Sequence, residues 1–167
     1  MKAIVYASHA GHTKAYAHLM GEKTGLPVYS LSEAGKRLEK GEKVLFMGWM
    51  MAGVLKGARK AKGRFSVQGA CAVGMASHTE KAAEKIARSN GLHGLPVFMI
   101  KGGLDMKKLS PIYRKMMETL LSVLEKKKDR PADMQRLIDV ARSDEDLPVT
   151  EQEIGHVLDW MGKGCIR

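Results

Sequence analysis

The 167-residue sequence predicts an α/β fold built on a doubly wound parallel sheet. Five short apolar runs, starting near Ala3, Pro27, Lys43, Ser66 and Leu95, are separated by segments long enough to hold a helix. Several of those segments open on helix-capping residues. Three unusual turns, after Ala7, Gly48 and Gly74, all fall at the carboxyl ends of strands, where sheets of this kind bind ligands.

Taken in order, Ala3-Ile4-Val5-Tyr6-Ala7 is apolar and partly β-branched, which suits a strand buried on both faces. Lys14 to Met20 carries apolar residues at helical spacing, and Gly25 closes that helix. Pro27-Val28-Tyr29 is a short second strand. Ser32 stands where it can cap a brief helix through Leu38. Lys43 to Gly48 is a third buried strand that runs into an apolar turn, Trp49 to Gly53, and the basic segment Val54 to Lys62 reads as loop or helix. Ser66 to Gly74 is a fourth strand, with small residues where neighbours approach closely. Ser77-His78-Thr79-Glu80 is a capping box opening a helix to about Asn90.

Leu95 to Ile100 is the fifth strand, ended by Lys101-Gly102-Gly103. Ser110, followed by Pro111, opens a helix in which Ile112, Met116, Met117, Leu120, Leu121 and Leu124 share a face. Two further helices are expected, from Pro131 to about Arg142 and from Thr150. The second has a capping box at Thr150 and Glu153 and an apolar stripe of Ile154, Val157, Leu158 and Met161. The whole reads as a single domain, residues 1–167, with a core of about 1–128 and a C-terminal helical extension of about 131–167.

Composition narrows the functional classes. The 44% hydrophobic and 28% charged content is ordinary for a globular protein. No run of 18 apolar residues predicts a membrane span, and the N-terminus enters a strand without a secretory pattern. Cys71 and Cys165 have no metal-like or CxxC spacing, which fits a reducing, cytoplasmic setting, and Cys71 is expected as a small buried hydrophobe. The six histidines show no ligand spacing with carboxylates or cysteines, so no metal is assigned. Ser8 beside His9 or His12 lacks a GxSxG elbow and an orienting acid, so no catalytic residue is assigned either.

The turns carry the chemistry. Between a strand and a helix, Ser8-His9-Ala10-Gly11-His12-Thr13 offers hydroxyls and helix-terminal amides to a phosphate. It has neither a Walker lysine nor GxGxxG. A plain N-cap by Ser8 or Thr13 fits the same residues. Trp49, Met50 and Met51, between Gly48 and Ala52-Gly53, could stack on and edge a flat ring, or cover the core under a neighbouring helix. Gly74, Met75, Ala76 and Ser77 offer small residues and amides to the other side of such a ligand, while Ser77 also serves the capping box.

These residues resemble a known family. Ser8 to Thr13 is similar to the T/S-x-T-G-x-T phosphate loop of flavodoxin-like FMN-binding proteins, with Ala10 in place of a hydroxyl residue. Gly48 to Gly53 and Gly74 to His78 fall where that family carries its two flavin-ring loops. Lys101-Gly102-Gly103-Leu104-Asp105, Leu109 and Tyr113 to Met117 are similar to the flavodoxin domain of menaquinone-dependent protoporphyrinogen oxidase and its relatives. The resemblance covers roughly residues 1 to 125. It implies five parallel strands in the order 2-1-3-4-5, and FMN held noncovalently with its phosphate on Ser8, Thr13 and the amides from His9 to Thr13. It also implies an isoalloxazine between the Trp49 and Gly74 loops. The function implied is that of an electron carrier or small flavin-dependent oxidoreductase.

The net charge of +10 departs from the acidic habit of that family. It points to acidic redox partners, or to a quinone-type acceptor at an anionic membrane surface. Nucleic acid is disfavoured, because no aromatic residues interleave with the densest basic run, Lys126-Lys127-Lys128-Asp129-Arg130. The competing class is a module of the same fold without a redox cofactor, binding a polyanion or an acidic protein.

Overall fold

The computed structural model describes residues 1–75, 79–103, 106–143 and 148–165. Its strands are β1 (Ala3–Ala7), β2 (Val28–Ser30), β3 (Lys43–Met51), β4 (Val54–Leu55), β5 (Ser66–Gly74) and β6 (Val97–Lys101). Five of them pair in parallel in the order β2-β1-β3-β5-β6. That is the expected order 2-1-3-4-5 once β4, an antiparallel partner of β3, is set aside. The helices are α1 (His12–Thr24), α2 (Leu31–Arg37), α3 (Ala58–Arg64), α4 (Glu80–Ser89), α5 (Pro111–Glu125), α6 (Ala132–Arg142) and α7 (Glu151–Trp160). The fold is a flavodoxin-like doubly wound α/β sheet.

Strand side chains alternate between two cores, as the two-residue period demands. Val5, Val44, Phe46, Ala70 and Ala72 face α2, α3 and α4, which contribute Ala34, Ala58, Ala61 and Ile86. Ile4, Leu45, Met47, Cys71, Val73 and Ile100 face the other side, where Tyr16, Ala17 and Met20 of α1 meet Ile154 and Val157 of α7. Cys71 is fully buried, and that burial pushes its thiol well above the ordinary range.

Several local expectations shift. The α2 cap is Ser30, not Ser32: its hydroxyl accepts from Glu33 N–H while Glu33 accepts from Ser30 N–H, a complete capping box. At α4 the described cap is Thr79, whose hydroxyl accepts from Ala82 N–H at 3.2 Å, while Ser77 and His78 lie outside the described residues. Thr150 starts α7 without a side-chain cap.

Two rearrangements matter for function. The sequence places α7 in an extension beyond the core. The structure seats it in the sheet core against α1 and β6, because its stripe of Ile154, Val157 and Met161 fills the face that α1 leaves open. Conversely, α5 does not cover the sheet. With α6 it forms a helical hairpin around a third cluster of Leu109, Met117, Leu121, Leu124 and Ile138, closed against Met51 and Trp49 of β3. Only part of the expected α5 face is buried, and Ile112, Met116 and Leu120 are exposed.

Candidate functional site

The helical hairpin roofs a cavity of ≈ 420 Å³ at the carboxyl end of the sheet. Four of the five parallel strands contribute from their carboxyl ends: His9, Ala10, His12 and Thr13 follow β1, Met50 to Gly53 end β3 and its turn, Gly74 and Met75 end β5, and Gly102 and Gly103 follow β6. The walls from α4 are Ala82, Lys85, Ile86 and Ser89, and the roof is Leu109, Met117, Leu120, Met134 and Leu137. The volume lies within the usual range for small-molecule sites, about 300–1,000 Å³, and the lining is mostly apolar. Lys85 is the one lysine or arginine among the described lining residues.

One end of the cavity is a helix N-terminus. Gly11, at φ 104, is the N-cap of α1, and no side chain caps the helix among the described residues. First-turn amides of an α-helix have no intrahelical acceptor, and there is no acid in this first turn to compete for them. His12 and Thr13, the first two residues of α1, are 8% and 2% exposed and line the cavity. Ser8 does not line it. Its hydroxyl accepts from Gly11 N–H at 3.3 Å and braces the turn from within.

The second expected turn is not a turn. β3 continues through Trp49 to Met51 and folds back, pairing Met50 with Leu55 and Met51 with Val54. β1 ends at Ala7 opposite Gly48, so the edge of β3 beyond that point has no parallel neighbour on that side and takes β4 instead. The two-residue loop, Ala52 at φ 48 and Gly53 at φ 79, has both residues left-handed, as a type I′ hairpin requires. Gly48 is not a lining residue. A Cβ there would meet Lys56 O at 2.7 Å, so it permits the hairpin to fold back. A Cβ on Gly74 would meet Met50 Cβ at 2.8 Å, so Gly74 and the hairpin are packed directly together.

Asn90 fixes the hairpin from outside the strand. It is 4% exposed. Its Oδ1 accepts from Leu55 N–H at 2.8 Å, and its Nδ2 donates to Gly53 O at 3.1 Å and Ile86 O at 2.8 Å.

At the mouth, His9 stacks on Trp49 with ring centroids 5.2 Å apart and 22° between planes. Tyr113 of α5 sets its edge against both rings. Lys56 Nζ lies 5.9 Å from the Trp49 ring centre and 5.6 Å from that of Tyr113. Ser110 N–H donates to His9 Nε2 at 3.1 Å, which places the proton of the neutral ring on Nδ1 and ties the first turn to the start of α5.

Of the expected site residues, His9, Ala10, His12, Thr13, Trp49, Met50, Met51, Ala52, Gly53, Gly74 and Met75 line the one cavity. Ser8, Gly11 and Gly48 are not among its lining residues, and Ala76 and Ser77 lie outside the described residues. Met51 covers the core under α5 and α6, as one reading of the Trp49 strand has it, and it also lines the cavity. The roof residues and Lys85 had no sequence signal as ligand contacts; their helical spacing announces only packing. Among the described residues no cluster of His, Cys, Asp and Glu could hold a metal ion. Comparison with protein-family models, with curated proteins and with solved structures returns no match. The fold assignment therefore rests on the strand order and connectivity of the chain itself.

Proposed function

We propose that the protein binds FMN in this cavity and works as a redox protein, either an electron carrier or a small flavin-dependent oxidoreductase. One observation carries the reading: a single cavity joins an acid-free helix N-terminus at one end to an apolar, aromatic-rimmed space at the other. A mononucleotide with a flat ring has that distribution of charge and surface. The sequence resemblance to flavodoxin-like FMN-binding proteins supports the same ligand. Bound FMN supplies one- and two-electron transfer chemistry.

The chain's own residues bind and orient. The first-turn amides of α1 and the Thr13 hydroxyl hold a phosphate. The hairpin, fixed by Asn90, sets Met50 and Met51 as a wall for the ring. The α5–α6 roof excludes water, and Lys85 favours negative charge within. Acidic redox partners, or a quinone-type acceptor, suit the basic surface.

A second reading draws on a specific observation. His9 already covers one face of Trp49, and Ala10 offers no hydroxyl, which suits an apolar ligand without a phosphate. The two readings separate in one experiment. Protein purified and dialysed after exposure to FMN is expected to keep flavin absorbance, and Thr13→Ala is expected to weaken FMN binding by about tenfold while leaving riboflavin binding near wild type. Protein that takes up no FMN sinks the flavin reading; equal losses for FMN and riboflavin sink the phosphate assignment.

A further inference from the structure

The outer face of α5 carries a line of aliphatic side chains that the fold leaves uncovered. Ile112 is 79% exposed, Met116 45%, Leu120 38% and Val123 52%. At 100° per residue these four fall within one arc of the helix, and the line runs about 16 Å along its axis. Monomeric proteins seldom leave such a patch without a use. Exposed Lys115 borders it, and exposed Lys126, Lys127 and Lys128 extend it past the helix end; none of these forms an ion pair among the described residues. The acids of α5 point elsewhere: Glu118 and Glu125 lie on the far side of the helix, and Glu125 is bound to Arg142.

We propose that this face of α5 docks on an anionic membrane surface. An apolar helix face with one lysine on its flank and three past its end matches the interface of a bilayer, with aliphatic side chains entering between headgroups and lysines meeting lipid phosphates. A second copy of the chain fits less well, because pairing two such faces brings two lysine clusters together. A protein partner fits less well too, because the line is aliphatic throughout and carries no exposed Trp, Tyr or Arg anchor of the kind that concentrates binding energy. No described helix is long and apolar enough to cross a membrane, so the attachment is along the surface. Leu120 belongs both to the exposed line and to the cavity lining, so docking sets the roof of the cavity against the lipid. The inference stands apart from the flavin reading, since it uses only the outer face of the roof.

The test is sedimentation of the whole protein with vesicles of phosphatidylcholine alone or mixed with phosphatidylglycerol, at low and high salt. Binding is expected to the mixed vesicles only, to fall as salt rises, and to weaken by about tenfold or more in the Ile112→Asp/Val123→Asp double variant. Both positions are exposed, and unchanged circular dichroism and thermal unfolding of the variant show that loss of binding is not loss of fold. A variant that reverses Lys126, Lys127 and Lys128 to Glu gives the same loss through charge alone. No binding to mixed vesicles, equal binding to neutral ones, or undiminished binding by the double variant overturns the proposal. So does a wild-type dimer in solution that Ile112→Asp converts to monomer.

Discussion

Asn90 holds more structure than its place at a helix end announces. Its amide takes the Leu55 N–H and gives to Gly53 O, so one buried side chain fixes both flanks of the hairpin that walls the cavity. Asn90→Ala leaves the Leu55 amide without its acceptor in a site that is 4% exposed, and a buried unsatisfied group of this kind costs about 1–3 kcal/mol. The variant is therefore expected to lose about 2 kcal/mol or more of stability in denaturant unfolding. Its Leu55 amide should also exchange hydrogen faster than the rest of the sheet; unchanged exchange there would show that the hairpin holds itself. Nothing in the sequence marked Asn90 for this role, because its partners lie 35 and 37 residues away and an Asn-Gly pair reads as a helix stop. The place of Thr13 at the cavity was legible for the opposite reason: strand, turn and helix start are contiguous in the chain, so the end of β1 delivers the first turn of α1 to the edge of the sheet.

At the scale of elements, periodicity located the strands and helices but not what covers them. Gly48 looked like the end of β3, yet β3 runs three residues further, because pairing with β4 depends on which neighbour vacates the edge. The hairpin turn so formed holds Ala52 at φ 48, where a non-glycine residue is strained by about 1 kcal/mol. Ala52→Gly is expected to raise stability by about 0.5 kcal/mol, since relief of strain outweighs the added freedom of the unfolded chain; a drop in the unfolding midpoint would contradict the turn geometry.

The α5–α6 hairpin has its own clasp, a two-pronged pair in which Arg142 Nε and a terminal nitrogen donate to Glu125 at 2.9 and 3.1 Å. The Arg142 guanidinium holds the Glu125 carboxyl below its ordinary value of 4.5. A lowered folded pKa means the contribution is complete above the ordinary carboxylate range and is lost as pH falls through the folded value. Glu125→Gln is thus expected to melt below wild type at neutral pH and together with it in strong acid. A gap that persists in acid would assign the loss to something other than charge. The face of α5 was the element least legible in sequence: its apolar arc spans nearly half the helix, and spacing cannot say that Met117, Leu121 and Leu124 are buried while Ile112, Met116 and Val123 stay exposed.

Across the whole molecule, a +10 charge surrounds a cavity whose lining includes Lys85. Were FMN held here, a lysine in the cavity wall would favour the reduced, anionic state; two opposite unit charges roughly 8 Å apart attract by roughly 2 kcal/mol at an effective dielectric near 20, on the order of 90 mV per electron. Screening by salt reduces this. The fully reduced couple is expected to lie less negative than in acidic flavodoxins, and Lys85→Gln to lower it by some tens of millivolts on that scale. A potentiometric titration that finds no difference between the two proteins removes Lys85 from this role.

The chain leaves the sheet at Lys101 and returns in α7, and these two points touch: Lys101 N–H donates to the Glu153 carboxylate at 3.2 Å, and Lys101 Nζ lies 3.5 Å from its other oxygen. Everything between them, roof included, is topologically one insertion whose two ends meet. Such a cassette is exchangeable. A short glycine-serine linker from Lys101 to Val149, which itself packs into the core of α1 and α7, should leave the two sheet cores intact, and descendants of one sheet could acquire different roofs, and with them different ligands and different surfaces to rest on, without relearning how to fold.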